Sequence, residues 1–559
     1  MSRLKSILCL ALIGLLYSCA KISAPLGGPV DEDPPKLLEA NPTDQSLNIK
    51  PEELILTFDE YVQLDNPSKG IIITPRINKE EVIFTSNKNR IIISLNQELE
   101  ENTTYVFDFQ KSVVDVSEKN PAENLKLVFS TTDYIDSLSI SGKVGYIFPP
   151  NKIDYKNVLV GIYPFNDTTD VFTANPYYLS QVDTSGNFKI SNIKNGRYRA
   201  YAWKDDNGNL KAEFKAEEYD FLIDTLEVEE DIPNIQFNLS KSDLTPIRIL
   251  RTSNFGKNFD LILNKNAVKP LLNQEQLGEE FFFIESDKRV RIYPRSVKAD
   301  SIAFPIQLQD STGFKIDTLI YAKFPETDRK PEKLSITPNS GKNFIGTLDM
   351  ELKFNKPVLS INTDSLYVKY DTASYFKINP SDFYFTDSAK RDLLKIRLSI
   401  PDSISKEIFT LTAADSTFKD IEDQYNEDKL EANYRKLKRE SLADGISGRI
   451  EGANPPFILQ VLDSKNQIIR EEFLTTEKFS IELIEPGTFK LRVIEDRNGN
   501  QRWDPSNILE KRPAERVFFY KGEDGKEQIV IRSGWTLEDQ IIKASPPTGI
   551  NQREMPVDK

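Results

Sequence analysis

Apolar and polar residues alternate in short runs along most of this chain, and clusters of turn residues separate the runs. Residues 54–58, 90–95 and 104–109 are representative, because each run places every second side chain on one apolar face. A two-residue period of this kind predicts strands that are buried on one side. Long amphipathic helical runs are absent from the sequence, so the pattern predicts an all-β fold.

One stretch of this pattern occurs twice. Residues 479–504 carry Phe-Ser-Ile, Gly-Thr-Phe and Asp-Arg-Asn-Gly-Asn, and residues 188–213 carry Phe-Lys-Ile, Gly-Arg-Tyr and Asp-Asp-Asn-Gly-Asn at the same spacing. An Ile-Ser-Gly tripeptide precedes each copy, at 446–448 and at 140–142. A shared spacing of this length indicates an internal duplication.

A second pair of segments also has matching spacing. Pro42 and Phe58 are as far apart in sequence as Pro338 and Phe354, and each pair brackets the start of a strand-rich region. About seven short strands per hundred residues is typical of β-sandwiches. The sequence therefore predicts a tandem array of about five β-sandwich modules, which we place at 34–133, 138–240, 246–325, 330–436 and 444–541. We expect the polar tail, 542–559, to be disordered.

The N-terminus has a different pattern. Arg3 and Lys5 precede an apolar run, 7–16, and the sequence Leu-Tyr-Ser-Cys ends at Cys19. This predicts a signal peptide at 1–18, since the apolar run is shorter than the ~20 residues of a spanning helix. The site resembles the bacterial lipobox, although Tyr17 departs from its usual small residue. The resemblance implies lipidation of Cys19 and a tether at 19–33.

Composition removes several classes of function. Acidic residues number 86 and basic residues 72, and the resulting charge of −14 argues against nucleic acid or anionic lipid as the main partner. Cys9 would leave with the signal peptide and Cys19 would carry lipid, so no thiol would remain. Histidine is absent, which excludes His-dependent triads and His-ligated metal centres. No pair of carboxylates is singled out as an acid and base, and we expect no enzyme activity.

The duplicated loops carry the strongest candidate chemistry. Oxygen-bearing side chains at alternate positions, followed by a carboxylate four residues on, could converge on a structural calcium ion. The pattern departs from an EF-hand because Gly is at the fourth position. The alternative is an Asx/Gly turn between two strands, with no cofactor. The candidate ligands are Asp496, Asn498, Asn500 and Asp504 in one copy and Asp205, Asn207, Asn209 and Glu213 in the other.

Two further features suggest surface roles. Trp203 and Trp503 flank the loops and would stack on sugars if they face solvent, although such residues more often pack against the edge of a sandwich. We expect Trp535 to lie in a core. An Asp-Ser/Thr-apolar triplet resembles the O-glycosylation sequon of exported Bacteroidota proteins, although a composition rich in Asp, Ser and Leu also produces such triplets. The candidate sites are Ser137, Thr225, Ser301, Thr318, Ser365, Thr372, Ser388 and Ser403.

Family resemblance adds to this interpretation. The early proline, the strand that ends in Phe-Asp-Glu at 58–60 and the closing Phe-Ser-Thr at 129–131 resemble bacterial Ig-like domains of S-layer-protein type. The string at 24–31 resembles the start of Ig-like lipoproteins of Bacteroidota. The duplicated modules resemble prealbumin-like or carboxypeptidase-regulatory-like sandwiches.

These resemblances imply a function. They imply a non-enzymatic, surface-exposed outer-membrane lipoprotein that acts as a scaffold or protein-interaction subunit, such as an accessory of an outer-membrane machine for β-barrel assembly or protein secretion. Modules in series would present loops and edge strands at a distance from the lipid anchor, within an envelope protein complex. The alternative is a surface glycan-binding or adhesion lipoprotein.

Overall fold

The computed structural model describes residues 31–150, 152–268, 271–272 and 275–550. Strands make up 49% of the described residues and helices 4%, which confirms the predicted all-β fold. None of the helices in these ranges is long and apolar enough to cross a bilayer. The predicted signal peptide, Cys19 and most of the predicted tether lie outside the described residues.

The strands follow one another in five groups, which we call modules 1 to 5. Module 1 contains β1 (Leu37–Asn41), β2 (Glu53–Phe58), β3 (Val62–Leu64), β4 (Ile72–Thr74), β5 (Val82–Asn87), β6 (Arg90–Leu95), β7 (Thr104–Asp108), β8 (Val113–Asp115) and β9 (Lys126–Ser130). Module 2 contains β10 (Leu138–Tyr146), β11 (Val158–Pro164), β12 (Tyr178–Gln181), β13 (Asn187–Ile193), β14 (Gly196–Lys204), β15 (Glu218–Phe221), β16 (Leu226–Val228) and β17 (Ile232–Lys241). Module 3 contains β18 (Ile249–Phe255), β19 (Asn258–Leu263), β20 (Leu271–Leu272), β21 (Phe281–Ser286), β22 (Arg289–Pro294), β23 (Lys298–Gln309) and β24 (Lys315–Phe324).

The remaining strands form the last two modules and a short C-terminal addition. Module 4 contains β25 (Ile336–Pro338), β26 (Asn343–Phe344), β27 (Thr347–Phe354), β28 (Val358–Ile361), β29 (Leu366–Lys369), β30 (Tyr375–Lys377), β31 (Phe383–Phe385), β32 (Leu393–Ser399), β33 (Ile408–Ala413), β34 (Phe418–Asp420) and β35 (Leu430–Lys436). Module 5 contains β36 (Ala443–Glu451), β37 (Phe457–Leu462), β38 (Ile468–Leu474), β39 (Lys478–Ile484), β40 (Gly487–Glu495), β41 (Val517–Phe519), β42 (Gln528–Ile531) and β43 (Thr536–Lys543), and β44 (Gly549–Ile550) follows. The short helices are Pro67–Gly70, Lys79–Glu81, Thr363–Ser365, Pro380–Asp382, Arg439–Ser441 and Ile508–Glu510.

Modules 1, 3 and 4 share one sheet order. Their four-stranded sheets run β1-β2-β6-β5, β18-β19-β22-β21 and β25-β27-β32-β31, and a second sheet covers each of them. Side-chain alternation sets the register: on β2, Leu54, Leu56 and Phe58 are fully buried and the residues between them are not. Leu54 and Leu56 lie opposite Ile93 and Ile91 of β6, so one face of the pair enters the core.

Modules 2 and 5 also share a topology, which confirms the repeat. The orders β13-β10-β17 and β39-β36-β43 match, and so do β12-β11-β14-β15 and β38-β37-β40-β41. Each module pairs its first and last strands in parallel. At the matching positions Gly142 and Gly448, an added Cβ would lie 1.9 Å and 1.8 Å from a carbonyl oxygen of the parallel strand. The repeated Ile-Ser-Gly therefore ends in the one residue that permits this approach.

The modules pack on one another, and the chain returns on itself. One buried cluster contains Trp203 of module 2 and Ile72 of module 1, with Phe314 of module 3 and Ile508 of module 5 against it. Another joins Ile147 of module 2 to Ile458 and Ile494 of module 5, and a third joins modules 3 and 4. Modules that follow one another in sequence are therefore not all neighbours in a line, because module 5 also contacts module 2.

The prediction of a disordered tail at 542–559 is wrong for its first part. Residue 543 still belongs to β43, and β44 pairs with Ile235 and Gln236 of β17. The polar, proline-rich composition of this segment indicated disorder, but main-chain pairing needs no apolar side chains. Residues 551–559 lie outside the described residues.

Candidate functional site: the paired Asp/Asn/Gly loops

Each candidate loop begins at the C-terminal end of a nine-residue strand. The first loop follows β14 and leads to β15, and the second follows β40 and leads to β41. Gly208 and Gly499 have φ values of +73° and +67° and occupy matching positions. This left-handed conformation explains the Asn-Gly-Asn in both loops, since glycine adopts it without steric cost.

In the first loop, Asp205 organises the backbone. Its side chain is buried, and its Oδ1 accepts hydrogen bonds from the backbone N–H of Gly208 (2.9 Å) and Asn209 (3.0 Å). Its Oδ2 accepts from Leu210 N–H (2.9 Å). Asn207 donates through Nδ2 to Glu213 Oε1 (2.9 Å), so the predicted residues do come together. These contacts are those of an Asx-stabilised turn.

The second loop has the same arrangement. Asp496 accepts from the N–H groups of Asn500 (3.0 Å, Oδ1) and Gln501 (2.8 Å, Oδ2). Asn498 and Asn500 both donate through Nδ2 to Asp504 Oδ2, at 2.5 Å and 2.7 Å. Asp504 therefore holds the far side of the loop, as Glu213 does in the first copy.

Sequence reasoning missed one member of each site. Glu217 accepts from the N–H groups of Asp206 (3.0 Å) and Glu213 (3.0 Å), and Glu515 accepts from those of Arg497 (2.8 Å) and Asp504 (2.9 Å). Both glutamates are almost fully buried. Each one ties the start of its loop to the end. A Glu shortly before the next strand was the available signal, but it lies 12 residues after Asp205 in one copy and 19 residues after Asp496 in the other.

The extra residues in the second copy reach a neighbouring module. Asn507 Nδ2 and Arg512 Nη2 both donate to the carbonyl oxygen of Thr312 in module 3, at 3.0 Å and 2.7 Å. Ser242, at the end of module 2, donates to the carbonyl of Ser506 in the same insertion. The second loop therefore carries an insertion that joins modules 2, 3 and 5.

The buried glutamates predict a pH dependence. Burial raises the pKa of Glu515 to about 7, and the carboxylates of Asp504 and Asp496 add to the rise. The folded protein then binds a proton that the unfolded chain has released, so the free energy of unfolding falls as pH rises from about 4.5 to about 7. We expect Glu515→Gln to remove about 2 kcal/mol of that fall, measured in module 5 by hydrogen exchange along urea titrations at pH 5 and pH 8. Glu482→Gln, at an exposed site in module 5, is the matched control; equal pH slopes in all three proteins would contradict the assignment.

The carboxylate oxygens that would bind calcium already accept hydrogen bonds within the loops. No three His, Cys, Asp or Glu side chains in the described ranges form a group suited to a metal ion. Asp205 and Asp496 use both carboxylate oxygens for backbone N–H groups, and the nearby amides donate to Glu213 and Asp504. This geometry favours the turn interpretation.

A melting experiment distinguishes the two interpretations. If the loops are hydrogen-bonded turns, the melting temperature should change by less than about 1 °C between 1 mM calcium and excess chelator. A bound ion at 100 times its Kd would add about 2.7 kcal/mol, which calorimetry resolves. A chelator-dependent fall that is lost in Asp496→Ala would establish calcium at the second loop.

The tryptophans do not lie where a sugar-binding face requires them. Trp203 is fully buried, and Trp503 is half-buried, with its Nε1 donating to Glu515 O (2.9 Å) and its ring edge-on to Phe148 (4.8 Å between centroids). Trp535, expected in a core, is 46% exposed, with Arg532 over its ring. Trp203 therefore cannot stack on a sugar and packs inside the protein, which is the alternative expected more often for such residues. The expectation that Trp535 lies in a core is wrong.

The proposed glycosylation sites differ in exposure. Ser137, Ser301, Thr372, Ser388 and Ser403 are exposed, whereas Thr225, Thr318 and Ser365 are half-buried. Ser365 Oγ also donates to Asn362 O (3.0 Å) and lies 2.9 Å from Thr417 Oγ1. Modification stays a prediction, and we expect any glycan preferentially at the five exposed positions.

Comparison with known proteins supports the fold. Residues 31–131 match the bacterial Ig-like domain family. Residues 156–210 match domain II of polysaccharide lyase family 4, and this name describes the fold of the domain and not an activity. The chain is 9% identical to the S-layer protein SbsC, with a TM-score of 0.16 over 89% of this chain and 68% of that one. The chain is 8% identical to the Bacillus anthracis TIE protein, with a TM-score of 0.12 over 96% of this chain and 78% of that one. It is 10% identical to the human desmocollin-1 ectodomain, with a TM-score of 0.14 over 89% of this chain and 97% of that one.

These comparisons bear on fold and not on a partner. Curated protein sequences give no match to the chain. TM-scores this low do not establish a shared arrangement of domains. The Ig-like family matched at residues 31–131 is a non-catalytic fold, which is typical of structural or interaction roles. The chain thus contains a bacterial Ig-like domain at residues 31–131, within an all-β array of sandwich modules.

Proposed function

We propose that this chain is a non-enzymatic outer-membrane lipoprotein, exposed at the cell surface, that serves as a scaffold or protein-interaction subunit of an envelope complex. The observation that supports the scaffold role is the buried packing between modules. Asn258 of module 3 donates to Glu422 of module 4 (2.9 Å) in a buried contact, and Asn507 of module 5 donates to Thr312 of module 3 (3.0 Å). A body held in this way keeps the edges and loops of several modules in fixed positions, which suits simultaneous contact with other subunits.

We further propose that the complex is an outer-membrane machine for β-barrel assembly or protein secretion. The support is the resemblance to Ig-like lipoproteins described above, together with a non-catalytic fold. Mild cross-linking in native membranes, followed by purification and mass spectrometry, tests this assignment. We expect a β-barrel protein to co-purify in near-stoichiometric amount; purification without any barrel partner would overturn the proposal.

Membrane attachment is proposed to depend on Cys19. We expect Cys19→Ser to lose metabolic fatty-acid labelling and to move the protein from the membrane fraction to the soluble fraction, since acyl chains supply the membrane affinity. Cys9→Ser, inside the predicted signal peptide, is the matched control and should leave both readouts unchanged. Unaltered labelling of the Cys19 variant would show that the anchor lies elsewhere.

A further inference from the structure

The segment after β43 crosses from module 5 to module 2. Ala544 N–H still donates to Glu451 O of module 5 (2.8 Å), and six residues later the chain is part of the other sandwich. Gly549 and Ile550 pair in antiparallel register with Gln236 and Ile235 of β17. We call residues 544–550 the C-terminal strap.

The strap occupies an edge that module 2 leaves open. One edge of β17 pairs with β10 along most of its length, and the other pairs with β15 only at Ser240 and Lys241. In the described part of the chain, β44 alone pairs with this second edge at Ile235 and Gln236. An open strand edge offers N–H and C=O groups to any extended segment that can align with it.

A buried polar pair next to this edge recognises one side chain of the strap. Thr548 Oγ1 donates to Asp220 Oδ2 (2.6 Å), and Asp220 is only 2% exposed. Asn238 Nδ2 lies 3.3 Å from Thr548 Oγ1 and 3.4 Å from the carbonyl oxygen of Pro546. Asp220 and Asn238 therefore form a site for a hydroxyl group on an extended chain, since a buried carboxylate needs such donors.

The strap itself uses little of the surface around it. Pro546 and Pro547 are exposed, and Ile550 is 44% exposed. Pro546 borders two grooves, one of about 750 Å3 lined in part by Tyr146, Phe519 and Tyr520 and one of about 320 Å3 lined in part by Phe188. A segment with larger side chains would make contacts there that the strap does not make.

We propose that this edge of β17 is a docking site for an extended segment of a partner protein, and that the C-terminal strap is a built-in competitor for it. The fitting segment has a Ser or Thr two residues before an aliphatic residue, as Thr548 and Ile550 are arranged, and an aromatic or large aliphatic residue upstream for the larger groove. The inference rests on the protein-interaction role proposed above and names one surface through which it acts. Intramolecular attachment gives the strap an effective concentration in the millimolar range, so a partner must exceed that advantage.

Peptide binding to the purified soluble chain tests the proposal. The probe is a fluorescent peptide with the sequence of residues 543–552, and the two proteins are the chain that begins after the tether and the same chain ended at Lys543. We expect the shortened chain to bind the peptide at least tenfold more tightly than the longer chain. The same peptide with Thr548→Val should bind at least fivefold more weakly, because it lacks the hydroxyl that Asp220 accepts from.

A substitution in the longer chain tests the same competition without shortening the protein. Thr548→Val in the longer chain should increase peptide binding and speed hydrogen exchange at 235–237, whereas Thr536→Val on exposed β43 should change neither. Equal peptide binding by the shortened and longer chains, or none by a shortened chain of unchanged circular dichroism, would overturn the proposal. Dimerisation of the shortened chain in light scattering would also overturn it, by showing a second copy as the occupant. These assays contain no membrane, so their failure leaves the cross-linking test of the complex unaffected.

Discussion

Replacing Lys356 by Ala should destabilise module 4 by about 3–5 kcal/mol. Lys356 is fully buried, and its ammonium group contacts Asp420 and lies 3.2 Å from Glu422 Oε2. It also donates to the carbonyl of Glu332. Removal of the cation would leave two buried carboxylates without their main compensating charge, and Glu422 also holds Asn258 of module 3. The loss should therefore weaken the contact between the two modules as well as the core.

A local measurement is needed, because a chain of several modules does not unfold in one step. Hydrogen exchange with mass spectrometry along a urea titration, followed on peptides from β33 and β34, reports module 4 directly. Arg397→Ala is the matched control: Arg397 pairs with Asp349 at 2.6 Å on the surface of the same module, and both side chains are more than half exposed. Its loss should cost much less, because exposed ion pairs contribute little to stability. Equal effects of the two substitutions would show that the Lys356 cluster is not electrostatically important.

Comparison with module 1 shows why the sequence did not reveal this cluster. The strand that ends in Phe354-Asn355-Lys356 matches the one that ends in Phe58-Asp59-Glu60, and the pattern predicted both strands. The charge at the third position is opposite in the two modules. In module 1 the buried Asp115 accepts three backbone N–H groups instead, from Glu118, Lys119 and Asn120. Whether a buried carboxylate is matched by a lysine or by the backbone depends on loop geometry, which alternation of apolar residues does not specify.

The candidate site shows the same division between local and long-range information. Asp205 and Asp496 were predicted because an Asx/Gly loop is a local feature, and its hydrogen bonds lie within five residues. Glu217 and Glu515 accept hydrogen bonds from both ends of their loops, but they follow segments of different length in the two copies, so matched spacing did not reveal them. The number of modules that surround Trp203 was not predictable for a related reason. The packing of one module on another decides which aromatic residues face solvent, and no single-module pattern records that packing.

Replacing Trp203 by Ala should be the second large perturbation, with a loss of about 3–5 kcal/mol in module 2. Trp203 is fully buried and lies opposite Leu159 of β11 and Tyr219 of β15 in the sheet register. Its cluster also includes Ile72 of module 1. The substitution removes the largest buried side chain of this cluster and leaves a cavity that neighbouring residues from several modules cannot fill without moving.

The effect of Trp203→Ala should extend beyond its own module. We expect faster hydrogen exchange in β11 and β14 and also around Ile72 and Ile508, because these residues lose packing partners in the shared cluster. Trp535→Ala, at a position that is 46% exposed, is the matched control and should cost less than about 1 kcal/mol. Exchange that increases only within module 2 would show that the other modules do not depend on this cluster. Exchange that increases at all three places would establish that the modules are energetically coupled, as a scaffold of fixed geometry requires.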